Sequence, residues 1–184
     1  MGRAPRFQAA NAVLHVTTRG NRRAPIFLDD DDRRLFIALV AQTVHRNRWS
    51  CLAYCLMLNH FHLLVSLADE NLSKGMHRLN GVYARRFNER HGFTGHLFEA
   101  RFASRSIRSN IHLINTASYV VLNPVRAGLC DDPADWQWSS FRATAGLEPR
   151  PRFIAVGRVR RLFGGGQDGA EQYAELVRQR IRRA

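Results

Sequence analysis

Two apolar runs, Cys51 to Met57 and His60 to Leu67, follow one another with only Leu58-Asn59 between them. A connection that short joins antiparallel neighbours, so the pair reads as a β-hairpin and commits the chain to an antiparallel sheet. Side chains alternate across a strand. His60 and His62 therefore share one face of the second arm, while Phe61, Leu63, Val65 and Leu67 fill the other as core. A lone strand histidine is most often a hydrogen-bonded, half-buried residue. Two side by side are a candidate pair of ligands for a divalent ion, although a pair leaves such a site short of donors.

The hairpin sits within a regular order of elements. Ala12 to Thr18 alternates as a short strand, with Leu14 and Val16 on one side and His15 and Thr17 on the other, closed by the turn-prone Arg19-Gly20-Asn21-Arg22. The acidic cluster Asp29 to Asp32 opens a helix expected from about Asp30 to Arg46, its negative charge at the N-terminal end. A second helix is expected over Leu72 to His91, with Met76, Leu79, Val82, Tyr83 and Phe87 inward, and the stretch from His91 to Gly95 ends it. A further strand lies near Phe102 to Ile107, and a third helix runs from Asn110 to about Leu122.

This order is α+β: a ferredoxin-like split βαβ antiparallel sheet with helices on one face, plus an added helix, leaving the other face for function. Residues 1–145 are expected to form that domain. Residues 146–184 read as a linker, Gly146 to Arg152, and a small, basic, helical C-terminal extension, with helices near Phe153 to Phe163 and Gly169 to Ile181. That extension either covers the active site, grips a nucleic-acid stem, or simply packs as a helix pair with a charged outer face.

The formal net charge of +13 comes almost wholly from arginine, since Lys74 is the only lysine. Arginine forks match phosphate oxygens and stack on bases, so a polyanionic partner is expected, nucleic acid foremost. Cys51, Cys55 and Cys130 form no even framework and no C-x-x-C pair, which fits a reduced compartment. With no window long and apolar enough for a membrane span, a soluble, cytoplasmic protein is expected. No Walker-type glycine loop is present, and Gly164 to Gly166 does not supply one.

At about 100° per residue the third helix places His112, Asn115, Thr116 and Tyr119 on one narrow polar face. Asn123 joins that face if helical geometry persists another turn, although Pro124 disfavours helical angles at the residue before it. A tyrosine so placed is usually a solvated or interface residue.

Its neighbours change that reading. Asn59-His60-Phe61-His62 and the block from Tyr119 through Leu122-Asn123-Pro124-Val125-Arg126-Ala127-Gly128-Leu129 together resemble the single-tyrosine HUH transposases, most closely the REP-associated tyrosine transposases of bacteria. The resemblance extends to Thr18-Arg19-Gly20-Asn21, Tyr83 to Asn88, Gly95 to Phe102, Trp138-Ser139-Ser140-Phe141 and Tyr173-Ala174-Glu175. One departure is Leu58, where relatives commonly carry proline.

The resemblance implies a metal-dependent transposase with an HUH endonuclease-type core. His60 and His62 would hold Mg2+ or Mn2+, Asn123 would be a third ligand, and Tyr119 would attack a DNA phosphate to form a 5′-phosphotyrosine bond. It also implies a single-stranded DNA substrate beside a hairpin, such as repeat palindromes or element ends, and either a monomer or a homodimer that exchanges the tyrosine helix. A phenol, with an ordinary pKa of about 10, is a weak nucleophile near neutrality, which is why a cation beside the phosphate matters. Candidate DNA contacts are Arg19, Arg22, Arg101, Arg105, Arg108 and Arg126. Phe93, Phe98 and Phe102 are stacking or core residues, and His15 and His96 are candidate accessory groups. The competing reading is a catalytically silent regulator of the same fold that binds single-stranded nucleic acid.

Overall fold

The computed structural model describes residues 10–181. Strand β1 (Val13–Arg19) is followed by helix α1 (Asp30–Arg46), the hairpin β2 (Ser50–Leu56) and β3 (His60–Ser66), helix α2 (Leu72–His91), strand β4 (Ala103–Ile107) and helix α3 (Asn110–Arg126). Three further helices follow: α4 (Phe141–Thr144), α5 (Val156–Arg160) and α6 (Gly166–Ile181). The sheet order is β2-β3-β1-β4, and every neighbouring pair is antiparallel. This is the expected α+β architecture.

Local chemistry accounts for the helix boundaries. The Asp29 carboxylate accepts the Asp32 backbone N–H, and three aspartates in the first turn of α1 meet the positive end of its dipole. Helix α2 ends at Gly92, whose φ of 67° is the left-handed cap that a β-carbon disfavours. Asp32 is fully buried and ties the two helices together: its carboxylate accepts from Leu28 N, from Arg90 at 2.6 Å, and pairs with His91 Nε2 at 3.0 Å.

One face of the sheet packs Leu14, Val16, Phe61, Leu63 and Val65 against Phe36, Leu39 and Val40 of α1 and Met76, Leu79 and Tyr83 of α2. These are the two helices expected on one face. The other face is not left open along its whole width, contrary to expectation. Leu52, Cys55 and Leu64 point into it, and apolar surface of that kind requires cover. Ala117, Val120 and Val121 of α3 supply it, together with Phe141, Tyr173 and Val177 from the C-terminal helices. The C-terminal segment thus shares this core with the sheet, and only the half of the second face formed by β1, β4 and the start of β3 remains free for a site.

The outer edge of β2 is also occupied. Leu56 N donates to Trp138 O, Ser140 N to Tyr54 O, and Ala155 N to Cys51 O, so the strand's backbone groups are paired rather than presented to another chain. Both Cys51 and Cys55 are buried free thiols. No helix among the described residues is long and apolar enough to cross a membrane.

Candidate active site

The free half of the second face forms an open cleft of about 800 Å³. Alternation along β3 aims His60 and His62 into it, and the antiparallel register with β1 sets Thr17 opposite His62 and Arg19 opposite His60. His15 enters from one step further along β1, facing Arg105 of β4. Helix α3 crosses above. Its rotational phase is set at the start, where Ser109 caps the first turn by accepting the His112 N–H. His112, Asn115, Thr116 and Tyr119 therefore turn toward the cleft as one stripe.

The rings meet closely. His60 and His62 lie edge to face with centroids 5.0 Å apart, and the Tyr119 ring stands 5.7 Å from His62 and 6.0 Å from His15, nearly perpendicular to both. Tyr119 is 39% exposed, while His62 is 5% exposed. The Arg126 guanidinium sits 5.1 Å from the Tyr119 ring centroid, a cation–π contact that steadies the phenol.

Protonation in the cleft follows from burial. Desolvation, then the neighbouring His15, His60 and Arg19, push the His62 imidazole down to about 3. His60 is lowered by desolvation and Arg19, and His15 falls to about 4 through desolvation and Arg105. All three rings are neutral near pH 7, the form in which an imidazole nitrogen can ligate.

Two atoms show how these residues fit an ion. The Asn59 amide nitrogen donates to Arg23 O, which turns its oxygen toward His60 Nδ1 at 2.8 Å, so the proton of His60 is on Nδ1 and its Nε2 lone pair is left for a ligand. His62 Nε2 is buried with no hydrogen-bond partner. The pair therefore fits a divalent ion completed by oxygen donors; among the described residues no group of three or more His, Cys, Asp or Glu forms a metal cluster.

Of the arginines expected to contact DNA, Arg19, Arg101 and Arg105 line the cleft and Arg126 covers the tyrosine. Arg22 lies in the short 3-10 turn after β1, in a left-handed conformation with φ of 53°, and Arg108 lies just beyond the C-terminal end of β4. Asn123 does not line the cleft. Helix α3 continues past Pro124 to Arg126, and the Asn123 amide nitrogen folds back to donate to Tyr119 O at 2.8 Å and Val120 O at 3.3 Å. Val120 O is the carbonyl that Pro124, lacking an N–H, leaves unpaired. His96 is exposed and outside the lining. Thr17, Ser104 and Glu99 line the cleft without having been singled out from sequence. Strand alternation carried the signal for Thr17, whereas Glu99 lies in a loop with no periodicity to place it.

Residues 8–123, well over half the chain, match the family described as Transposase IS200 like. The chain belongs to the IS200-like transposase family. Membership makes it a DNA-cleaving and strand-transferring enzyme. This transposase is also 27% identical over 128 residues to a Haemophilus influenzae protein assigned as a REP-associated tyrosine transposase, covering 63% of the present chain and 72% of that one. Its fold is similar to the structure of a REP-associated tyrosine transposase bound to a REP hairpin, with a TM-score of 0.67, 18% identity, and coverage of 84% of this transposase and 92% of the other.

Proposed function

We propose that the protein is a metal-dependent transposase that cleaves and rejoins single-stranded DNA next to hairpins through a 5′-phosphotyrosine intermediate. The observation that carries this reading is the position of Tyr119, exposed and standing over the His60 and His62 pair in a cleft walled by arginines. Transfer of a phosphoryl group depends chiefly on alignment and on stabilising charge, and this cleft offers both.

In the proposed step the Tyr119 hydroxyl oxygen bonds to phosphorus and the bond to the 3′-oxygen breaks. The phenol gives up its proton and the departing 3′-oxygen gains one, leaving a free 3′-hydroxyl and a 5′-phosphate joined to the protein. The bond energy is kept in the adduct, so the 3′-hydroxyl of another strand reverses the step and rejoins the DNA without a nucleotide cofactor. Arg19, Arg101 and Arg105 hold flanking phosphates, Arg22 and Arg108 extend that track at opposite ends of the sheet, and Arg126 fixes the tyrosine ring.

His60 and His62 would hold Mg2+ or Mn2+ through their Nε2 atoms. Asn123 is the proposed third ligand, through its amide oxygen. When bound, the ion neutralises charge on a nonbridging phosphate oxygen and orients the phosphate. Two imidazoles suit Mn2+ at least as well as the oxygen-preferring Mg2+. The hairpin substrate follows the solved relative bound to a REP hairpin.

The test is to incubate the protein and its Tyr119→Phe variant with labelled single-stranded DNA carrying hairpins from the gene's flanks, with Mn2+ or EDTA, on a denaturing gel. A metal-dependent slow band lost in the variant supports the reading. Cleavage that survives Tyr119→Phe removes the tyrosine from the mechanism, and tight binding without cleavage favours a silent binding protein.

A further inference from the structure

His60 and His62 are not supported alike. Asn59 fixes which nitrogen of His60 carries the proton, because an amide oxygen can only accept. His62 has no such amide. The partner of its Nδ1 is His15 Nε2, 2.9 Å away, with ring centroids 5.1 Å apart and only 19° between planes, the nearly coplanar arrangement an in-plane hydrogen bond requires. Two neutral imidazoles share one proton in that contact, and there are two ways to place it.

If His15 donates, the proton of His62 moves to its Nε2, where it becomes a buried N–H with no acceptor. A buried donor left unpaired is strongly disfavoured. If His62 donates instead, its Nδ1–H is satisfied by His15, and Nε2 becomes a lone pair, as it is on His60. The second arrangement leaves no orphaned proton, and it makes both histidines present the same nitrogen.

We propose that His15 is a positioning residue for the metal pair, its Nε2 accepting the His62 Nδ1–H and so holding His62 in the tautomer that ligates through Nε2. His15 does for His62 what Asn59 does for His60. It does not itself ligate, because the nitrogen nearest the pair is engaged with His62. This rests on the proposed metal site, and a hydrogen-bonded partner behind a ligating histidine typically contributes about 10–100-fold in metal affinity.

Two measurements test it, neither of them an activity. In the metal-free wild-type protein, long-range proton–nitrogen NMR of the imidazoles should show His62 protonated on Nδ1 and bare on Nε2; the opposite tautomer overturns the proposal, whatever any variant does. Mn2+ affinity is then measured by calorimetry for wild type, His15→Leu, His15→Gln and His62→Ala, with thermal melts confirming that each folds. Removal of the acceptor in His15→Leu should weaken binding by about 10–100-fold, and His15→Gln, which restores an amide oxygen as acceptor, should recover part of the loss. If His15→Leu binds Mn2+ as tightly as wild type while His62→Ala does not bind, His15 has no positioning role and the metal site stands. If wild type fails to bind, or His62→Ala binds equally well, the metal site itself fails and the role of His15 goes with it.

Discussion

With His15, His60 and Arg19 around a ring that is 5% exposed, His62 takes up a proton only near pH 3, against 6.5 for the free side chain. In the unfolded chain the same ring is protonated below 6.5. Between those values the unfolded state binds more protons than the folded one, so stability rises with pH across that window and falls on acidification. Urea denaturation between about pH 7 and 5 should show wild type losing stability, with His62 contributing a slope approaching about 1.4 kcal/mol per pH unit. His15, lowered to about 4, adds in the same direction, and a His62→Phe variant should lose less. Asn123→Ala should cost about 1 kcal/mol by stripping Val120 O of its donor, read as a lower melting temperature. As the proposed third ligand it should also lower Mn2+ affinity. Strand and helix periods each assign a face to His60, His62 and Tyr119, whereas the meeting of those faces was implied only by the family resemblance. The orientation of Asn123 is not legible from sequence, because the demand made by Pro124 on a single carbonyl leaves no trace in a helical projection.

The cross-link between α1 and α2 shows what element boundaries conceal. Charge and periodicity give both helices their observed limits, yet nothing in either pattern says that Asp32 in the first turn of one will be buried against Arg90 and His91 in the last turn of the other. From sequence the aspartates read only as negative charge at the N-terminal end of a helix. Removing the buried carboxylate strips Leu28 N–H and His91 of their partner, while Arg90 keeps Asp29, so Asp32→Ala should destabilise the fold by about 1–3 kcal/mol. Asp31→Ala, whose side chain is largely exposed, should cost well under about 1 kcal/mol. Chemical denaturation of the two variants separates these outcomes. The third helix is the element least well delimited from sequence: the rule that prolines end helices anticipates a stop near Leu122, and the side-chain donor on Asn123 lets the helix run another turn. Cover for the second face was likewise hidden. Leu52, Cys55 and Leu64 require a partner, and periodicity alone does not identify it as α3 and the C-terminal helices.

The charge of +13 belongs to the whole molecule, and the cleft gathers Arg19, Arg101 and Arg105 from it. Affinity for a hairpin with a single-stranded flank should fall steeply with salt, and Arg101→Ala and Arg105→Ala should each reduce the slope of log affinity against log salt by about one. Fluorescence anisotropy over a salt series reads both. The sheet that carries the histidines and the helix that carries the tyrosine belong to one polypeptide, and α6 packs against α3 within the same chain. Mixing a His60→Ala protein with a Tyr119→Phe protein should therefore not restore cleavage, as it would if two copies traded helices. Seen genetically, two differently broken alleles in one cell would then stay as silent as either alone.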